Sequence, residues 1–287
     1  MNYQHSFHVG NFADLFKHCI LCCCLDYLQQ KNKPLLAIDT HAGLGKYLLN
    51  QQNIESNQGI YRLVKHKNFC ETMPHVFWQT LAKINLTSLD NLANNLKFYS
   101  GSSLLMKYIL HKKTENWQII LAENNQTTYF GLKRNFAGNK KVITNLSNGF
   151  DLLKTKLPPL QKGCFALIDP PYEKTHLTIS PDYQNSFKAL TEAKQRFANG
   201  VYLWWYPITS QNEVLAKTIN EIKKLNFTKI MQIEIGINNL ALHNKMQKCG
   251  MLVINPPYIL KEQLNHFLPN LLAKLTDQDF EYNLKEL

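Results

Sequence analysis

Arginine is nearly absent from this 287-residue chain, which holds only Arg62, Arg134 and Arg196, so its positive charge is almost all lysine. Long apolar runs are absent too. The hydrophobic stretches fall well short of the roughly 20 residues a membrane span needs, which predicts a protein with no transmembrane helix. The chain opens M-N-Y-Q-H-S-F-H, with no basic segment leading into an apolar one. No signal peptide is therefore expected, and the expected location is cytoplasmic. Nor is there an internal repeat or low-complexity tract. The 7 cysteines are odd in number, and Cys22, Cys23 and Cys24 are consecutive, which excludes the disulfide framework of a secreted domain. Cys19 and Cys22 make a C-x-x-C, but they lie in an apolar stretch of helical period, which predicts thiols buried in a core. His5 and His8 have a loose metal-like spacing without a third ligand, so no metal is expected.

Acidic residues are also scarce, 21 against 32 basic ones, for a formal charge of +11. A basic surface attracts polyanions over about 8 Å at physiological salt, and nucleic acid is the first candidate. A lysine-rich proteome is the plainer alternative.

What is present is organised around Cys164 to Tyr172, C-F-A-L-I-D-P-P-Y. A short apolar strand is followed at once by a carboxylate and two prolines. Proline lacks the N–H a ladder needs, so the strand stops and presents Asp169 and Tyr172 at its carboxyl end, where open α/β sheets bind ligands. Upstream, the strand Leu35 to Ile38 runs into Asp39-Thr40-His41-Ala42-Gly43-Leu44-Gly45, a glycine loop that lets backbone approach a ligand closely. A third strand, Trp117 to Ala122, ends in Glu123, an acid able to accept both hydroxyls of a ribose. In a dinucleotide fold a third glycine and an unbroken helix would follow the loop. Here an insertion follows instead.

Helices are expected from Asn11, as cap, to Gln30, and at 101–111, 126–136, 149–156, 182–198 and 210–225. Strands are expected at 35–38, 117–122, 141–144, 164–169, 200–206, 227–237 and 249–255, the last two antiparallel. Seven strands alternating with helices imply an α/β, Rossmann-like seven-stranded methyltransferase core with helices on both faces. Residues 46–97 are polar, helical in period and without a convincing strand. They are expected to form a small inserted helical subdomain, dividing the core into 1–45 and 98–287.

The pattern D-P-P-Y addresses an amine conjugated to a planar ring. The Asp169 carboxylate and the Pro170 carbonyl can each accept an N–H bond, orienting the nitrogen lone pair toward a methyl donor. Tyr172 offers a face on which an extruded base can stack, worth roughly 1 to 3 kcal/mol. Tyr206 and Pro207, ending the next strand, are expected to wall the base pocket, with Trp204 or Trp205 as buried packing. A second copy, Asn255-Pro256-Pro257-Tyr258, has too little chain after it for the three strands that follow a catalytic fourth strand, and is expected to be structural.

Six blocks extend these motifs over nearly the whole chain: Y-Q-H-S-F-H-V-G-N-F-A-D-L-F-K-H at 3–18, L-A-I-D-T-H-A-G-L-G-K-Y at 36–47, Y-S-G-S at 99–102, L-I-D-P-P-Y at 167–172, L-W-W-Y-P at 203–207 and V-I-N-P-P-Y at 253–258. In these the chain resembles the bacterial 23S ribosomal RNA adenine-N6 methyltransferases of the RlmJ family. The resemblance implies S-adenosyl-L-methionine as cofactor, contacted by Lys17, His18, His41, Ser102, Glu123, Asn148 and Gly149 beside Asp39 and Gly43. It implies a catalytic Asp169 and Tyr3 near the substrate base, with the N-terminal segment as a lid. The implied partner is 23S rRNA, as a hairpin or in a partly assembled large subunit, with the enzyme acting as a monomer. Three departures from the family pattern stand out: Gln4 replaces an arginine, Asn148 an aspartate, and Asn124-Asn125 a His-Pro pair. A DNA adenine or cytosine amino-methyltransferase would share loop and tetrad but carry a target-recognition domain. A non-catalytic RNA-binding protein with a relict cofactor fold is the reading from another class.

Overall fold

A computed structural model describes residues 8–112, 116–172, 180–209, 212–238 and 246–287. Apolar residues alternating along short strands build one eight-stranded sheet with a core on each face. On β1 (Leu35–Asp39), Leu35 and Ala37 enter one core, Leu36 and Ile38 the other. Its neighbours are β4 (Trp117–Glu123) and β6 (Gly163–Ile168), both parallel to it. Beyond β4 lies β5 (Val142–Leu146), and beyond β6 lies β7 (Val201–Ile208), again parallel. Next come β9 (Lys248–Ile254), β8 (Ile230–Ile237) and β10 (Phe280–Glu286), giving the order β10-β8-β9-β7-β6-β1-β4-β5. The expected antiparallel pairing of β8 with β9 is present, and β9 also runs antiparallel to β7. The strand β10 was not expected. Phe280, Tyr282 and Leu284 do alternate with polar residues, and the strand adds antiparallel to β8 as an exposed edge.

Against one face lies α1 (Phe12–Gln30), whose cap Asn11 accepts the Asp14 backbone N–H through Oδ1 at 2.9 Å. It is enclosed nearly all round rather than along a stripe, packing on α6 (Ser102–His111) and α11 (Leu260–Leu275). All of Cys19, Cys22, Cys23 and Cys24 are buried within it, and burial pushes the thiols of the last three up, keeping them protonated. The other face carries α8 (Gly149–Lys156), α9 (Asp182–Phe197) and α10 (Asn212–Lys223).

Residues 46–97 leave the sheet through a two-stranded ribbon that the sequence pattern did not disclose, β2 (Lys46–Leu48) with β3 (Phe98–Ser100). Three-residue strands carry too few positions to show a period. Between them lie α2 (Ile54–Gln58), α3 (Ile60–Val64), α4 (His75–Ile84) and α5 (Leu92–Asn95). Their buried Ile60, Leu63, Phe77 and Trp78 join the same core as Phe16 and Ile20 of α1. The last helix before β5 is α7 (Gln126–Asn135).

Candidate active site

Three carboxylates converge at the carboxyl ends of the adjacent strands β4, β1 and β6, and each is held by backbone or by a helix. Asp39 is fully buried, its Oδ2 accepting the Ser102 hydroxyl at 2.6 Å and its Oδ1 the His41 backbone N–H at 3.2 Å. Burial raises its pKa to about 6 despite the Ser102 hydrogen bond, with the nearby Asp169 charge pushing the same way. Glu123 closes the glycine loop: Oε2 accepts the Gly43 N–H at 3.1 Å and Oε1 the Asn125 N–H at 2.8 Å. Its pKa is also raised by burial, against those backbone bonds. Asn125 in turn caps α7, so this departure from the family pattern is a helix start.

Gly43 has φ +58°, and a Cβ on it would lie 2.0 Å from the Tyr47 hydroxyl, which accepts the Leu44 N–H. Only glycine satisfies both conditions. Asn148 caps α8, its Oδ1 accepting the backbone N–H of Phe150 at 2.9 Å and of Asp151 at 3.4 Å. Asparagine and aspartate cap equally well, so the replacement keeps the helix start. A Cβ on Gly149 would lie 1.8 Å from the Thr40 carbonyl, so α8 docks on the end of β1 only because residue 149 has no side chain. His41 sits edge-on to Phe150, ring centroids 5.0 Å apart, and burial lowers its pKa to about 4, leaving a neutral ring at physiological pH.

Asp169 is the first residue beyond β6. Its Oδ2 accepts from Lys17 Nζ at 2.7 Å, and Lys17 also reaches Asp14 Oδ1 at 2.8 Å. Oδ1 of Asp169 accepts no hydrogen bond among the described residues. Burial alone would lower the Lys17 pKa, but the two carboxylates outweigh it and hold the ammonium well above the usual lysine value. The resemblance placed Lys17 among cofactor contacts; here its charge is committed to Asp169 and Asp14. His18, the next residue, is 1 % exposed, its Nδ1 paired with the Tyr99 hydroxyl at 2.9 Å.

Tyr172 adopts φ +51°, a left-handed conformation that is strained for an aromatic residue. Its hydroxyl donates to the Trp205 carbonyl at 2.7 Å and accepts from Trp204 Nε1 at 2.7 Å, while its N–H donates to Asp182 Oδ2 at 3.0 Å. The ring is pinned between Tyr183 and Trp205, with centroids 4.8 and 5.9 Å away. Of the two residues expected to wall the base pocket, Tyr206 is corrected, while Pro207 is half-buried on the same face as Trp205. Tyr206 is fully buried and bonded to Glu234, on the face it shares with Trp204, whereas Trp205 is half-buried beside Tyr172. The alternation of β7 puts residues 204 and 206 on one face and 205 on the other.

The second tetrad lies at the opposite end of the sheet, because β9 is antiparallel to β7. Asn255 Nδ2 donates to the Ala198 and Gly200 carbonyls, both at 2.8 Å, and Asn255 rather than Tyr258 takes the positive φ. Tyr3, Gln4 and His5 lie outside the described residues. His8 is used structurally, bonded to Glu55 Oε2 at 2.8 Å, and no group of metal-ligating side chains occurs among the described residues. No described helix is long and apolar enough to cross a membrane.

Residues 32–285 match the family described as ribosomal RNA large subunit methyltransferase D, RlmJ. The ribosomal RNA large subunit methyltransferase J of Escherichia coli K12 is 33 % identical over 279 residues, covering 96 % of this chain and 94 % of the relative. That of Haemophilus influenzae Rd is 32 % identical over 282 residues, covering 97 % and 95 %. The crystal structure of a Legionella pneumophila protein superposes with a TM-score of 0.82 at 28 % identity, covering 97 % of this chain and 98 % of that one. With its sheet order, its three strand-end carboxylates and its full-length relatives, this chain belongs to the RlmJ family of ribosomal RNA large subunit methyltransferases.

Proposed function

We propose that the chain transfers a methyl group from S-adenosyl-L-methionine to N6 of an adenosine in 23S ribosomal RNA. The observation that carries this reading is the Asp169 carboxylate, with Oδ2 held by Lys17 at 2.7 Å and Oδ1 free of partners among the described residues, one strand from the glycine loop. The strand-end groups fit the cofactor. A buried Asp39 suits an ammonium, and the two oxygens of Glu123 suit a ribose diol. His41, Ser102, Asn148 and His18 surround that space in this reading. Bound there, S-adenosyl-L-methionine supplies an electrophilic methyl on a sulfonium.

The chain's own groups then prepare the nucleophile. The lone pair of an adenine amine is delocalised into its ring. Asp169 Oδ1 and the Pro170 carbonyl accept its two N–H bonds and turn the nitrogen toward tetrahedral geometry. Lys17 holds Oδ2 at 2.7 Å, which leaves Oδ1 as the acceptor for the amine. The amine loses its proton only after alkylation makes it acidic, so orientation matters more here than basicity. Tyr172 and Tyr3 would hold the flipped base, and residues 46–97 act as a subdomain that extends the RNA-facing surface. The enzyme works as a monomer on a hairpin or a partly assembled large subunit, in the cytoplasm.

Asp169→Ala is expected to abolish transfer while leaving cofactor affinity within about threefold. Mapping N6-methyladenosine in 23S rRNA from a deletion strain, with and without the complementing gene, identifies the nucleotide. Retained turnover in the variant, or an unchanged map, overturns the reading.

A further inference from the structure

A groove of about 570 Å³ opens behind the glycine loop, and its polar lining has a single sign of charge. Lys46, Lys83, Lys97, Lys107 and Arg134 line it, and no carboxylate does. These five come from β2, α4, the approach to β3, α6 and α7, so both the insertion and the core build the walls. None of the five has a carboxylate partner among the described residues. Aromatic rings stand beneath the charges: Lys46 Nζ lies 3.9 Å from the Phe98 ring centroid, and Lys83 and Lys107 lie 5.0 and 5.8 Å from that of Tyr108. The rim carries Leu86, 95 % exposed at φ +53°. Burial, reinforced by the neighbouring Lys83, lowers the Lys107 pKa. Lys83 and Lys107 thus feel one another's charge, with no carboxylate among the described residues to neutralise either.

We infer that this groove binds the phosphodiester backbone of the substrate RNA beyond the target nucleotide, an inference that rests on the function proposed above. A small phosphate would call for convergent donors in a closed cradle. Here the cations come from five separate elements along an open groove, three of them seated on Phe98 and Tyr108. That arrangement suits a chain of phosphates with bases that stack on the way. The groove is joined to the catalytic end of the sheet: Lys46 directly follows Gly45, and Asn135 on the groove wall donates to the Leu44 carbonyl at 2.8 Å. Backbone held there would lead toward the loop.

The test compares Lys97→Gln/Lys107→Gln/Arg134→Gln with a control of equal charge on exposed positions elsewhere, Lys188→Gln/Lys217→Gln/Lys224→Gln. Filter binding of a radiolabelled 23S rRNA transcript is measured across a salt series. The groove variant is expected to bind about tenfold more weakly, with the slope of log affinity against log salt reduced by about 2. The control should change less than about twofold, and calorimetric affinity for S-adenosyl-L-methionine should be the same in all three proteins. Should the triple variant fail to fold, Lys97→Gln and Arg134→Gln singly must each weaken binding and flatten the slope. Equal losses in groove and control variants overturn the inference, as does competition by pyrophosphate as strong as that by RNA. Groove-dependent binding without methylation by the wild-type protein overturns the proposed reaction and leaves the groove intact; methylation with groove-independent binding does the reverse.

Discussion

Lys17 Nζ sits 2.7 Å from Asp169 Oδ2, although 152 residues separate them in sequence, and it is 2.8 Å from Asp14 Oδ1 one turn back on its own helix. The lysine is thus a buried cation between two carboxylates, which it pairs and orients. Replacing it by Met removes one charge and leaves two unpaired. Lys17→Met is expected to cost about 3 kcal/mol of stability. It should also cut methyl transfer by on the order of a hundredfold, with little change in cofactor affinity. Adding Asp14→Asn should recover part of the stability, because one stranded charge disappears. Chemical denaturation and single-turnover assays measure the two effects; a Lys17→Met protein as stable and active as wild type removes the ion pair from the mechanism.

Asp39 links pH to both stability and binding. Its folded pKa, about 6, lies above the usual carboxylate value of 3.8. The stability it contributes is present below 3.8 and is lost as pH rises through about 6, since the folded state favours the protonated form. Asp39→Asn should therefore gain on wild type above pH 6, by at least about 4 °C in Tm at pH 8, and the gain should vanish near pH 4. Binding runs the other way, because a cationic amino-acid group needs the ionised carboxylate. Wild-type affinity for S-adenosyl-L-methionine should fall as pH drops through 6, and calorimetry across that range should find no such fall in the variant.

At the start of α8, the cap and the glycine predict different outcomes. Asn148→Asp preserves the acceptor and should change stability by less than about 0.5 kcal/mol, whereas Asn148→Ala should cost about 1 kcal/mol. Gly149→Ala meets backbone, the Thr40 carbonyl, and must push α8 away from β1. Lower Tm together with weakened cofactor binding is expected from it. An alanine variant that matches wild type in both measurements would show that the helix start has room to move.

The two proline tetrads should respond differently. Tyr172→Phe removes the hydroxyl that joins Trp204 Nε1 to the Trp205 carbonyl, leaving a buried indole N–H without an acceptor, at a cost of about 1 to 3 kcal/mol. Methyl transfer should fall with it. Tyr258 is 80 % exposed, so Tyr258→Ala should leave transfer unchanged. Asn255→Ala should lower Tm through two lost carbonyl contacts without altering cofactor affinity. Reduced cofactor affinity in Asn255→Ala would contradict its place at the far end of the sheet.

Most of the fold can be read locally because strand and helix periods repeat within a few residues. The α8 expected at 149–156 is the one observed, and α1 begins at its expected cap. Of the elements that escaped, β2 and β3 have three residues each and β10 lies at an edge with six of its seven residues exposed, but α11, with sixteen residues and a buried leucine face, was not expected either. Tyr206 was expected beside a base pocket but is buried with Trp204, and on a strand one residue is the whole difference between faces.

The acids that follow strands, Asp39, Glu123 and Asp169, and the glycine and proline punctuation around them were readable by themselves, because a strand end is written within a handful of residues. Which partner each group meets was decided only by the tertiary structure. Lys17 reaches Asp169 because α1 packs over the sheet, Asn255 is carried to the far end because β9 runs antiparallel, and five cations become one groove because β2, α4 and the approach to β3 lie beside α6 and α7. Pairings of this kind depend on strand order and helix docking, which arise from burial summed over the whole chain and leave no local pattern.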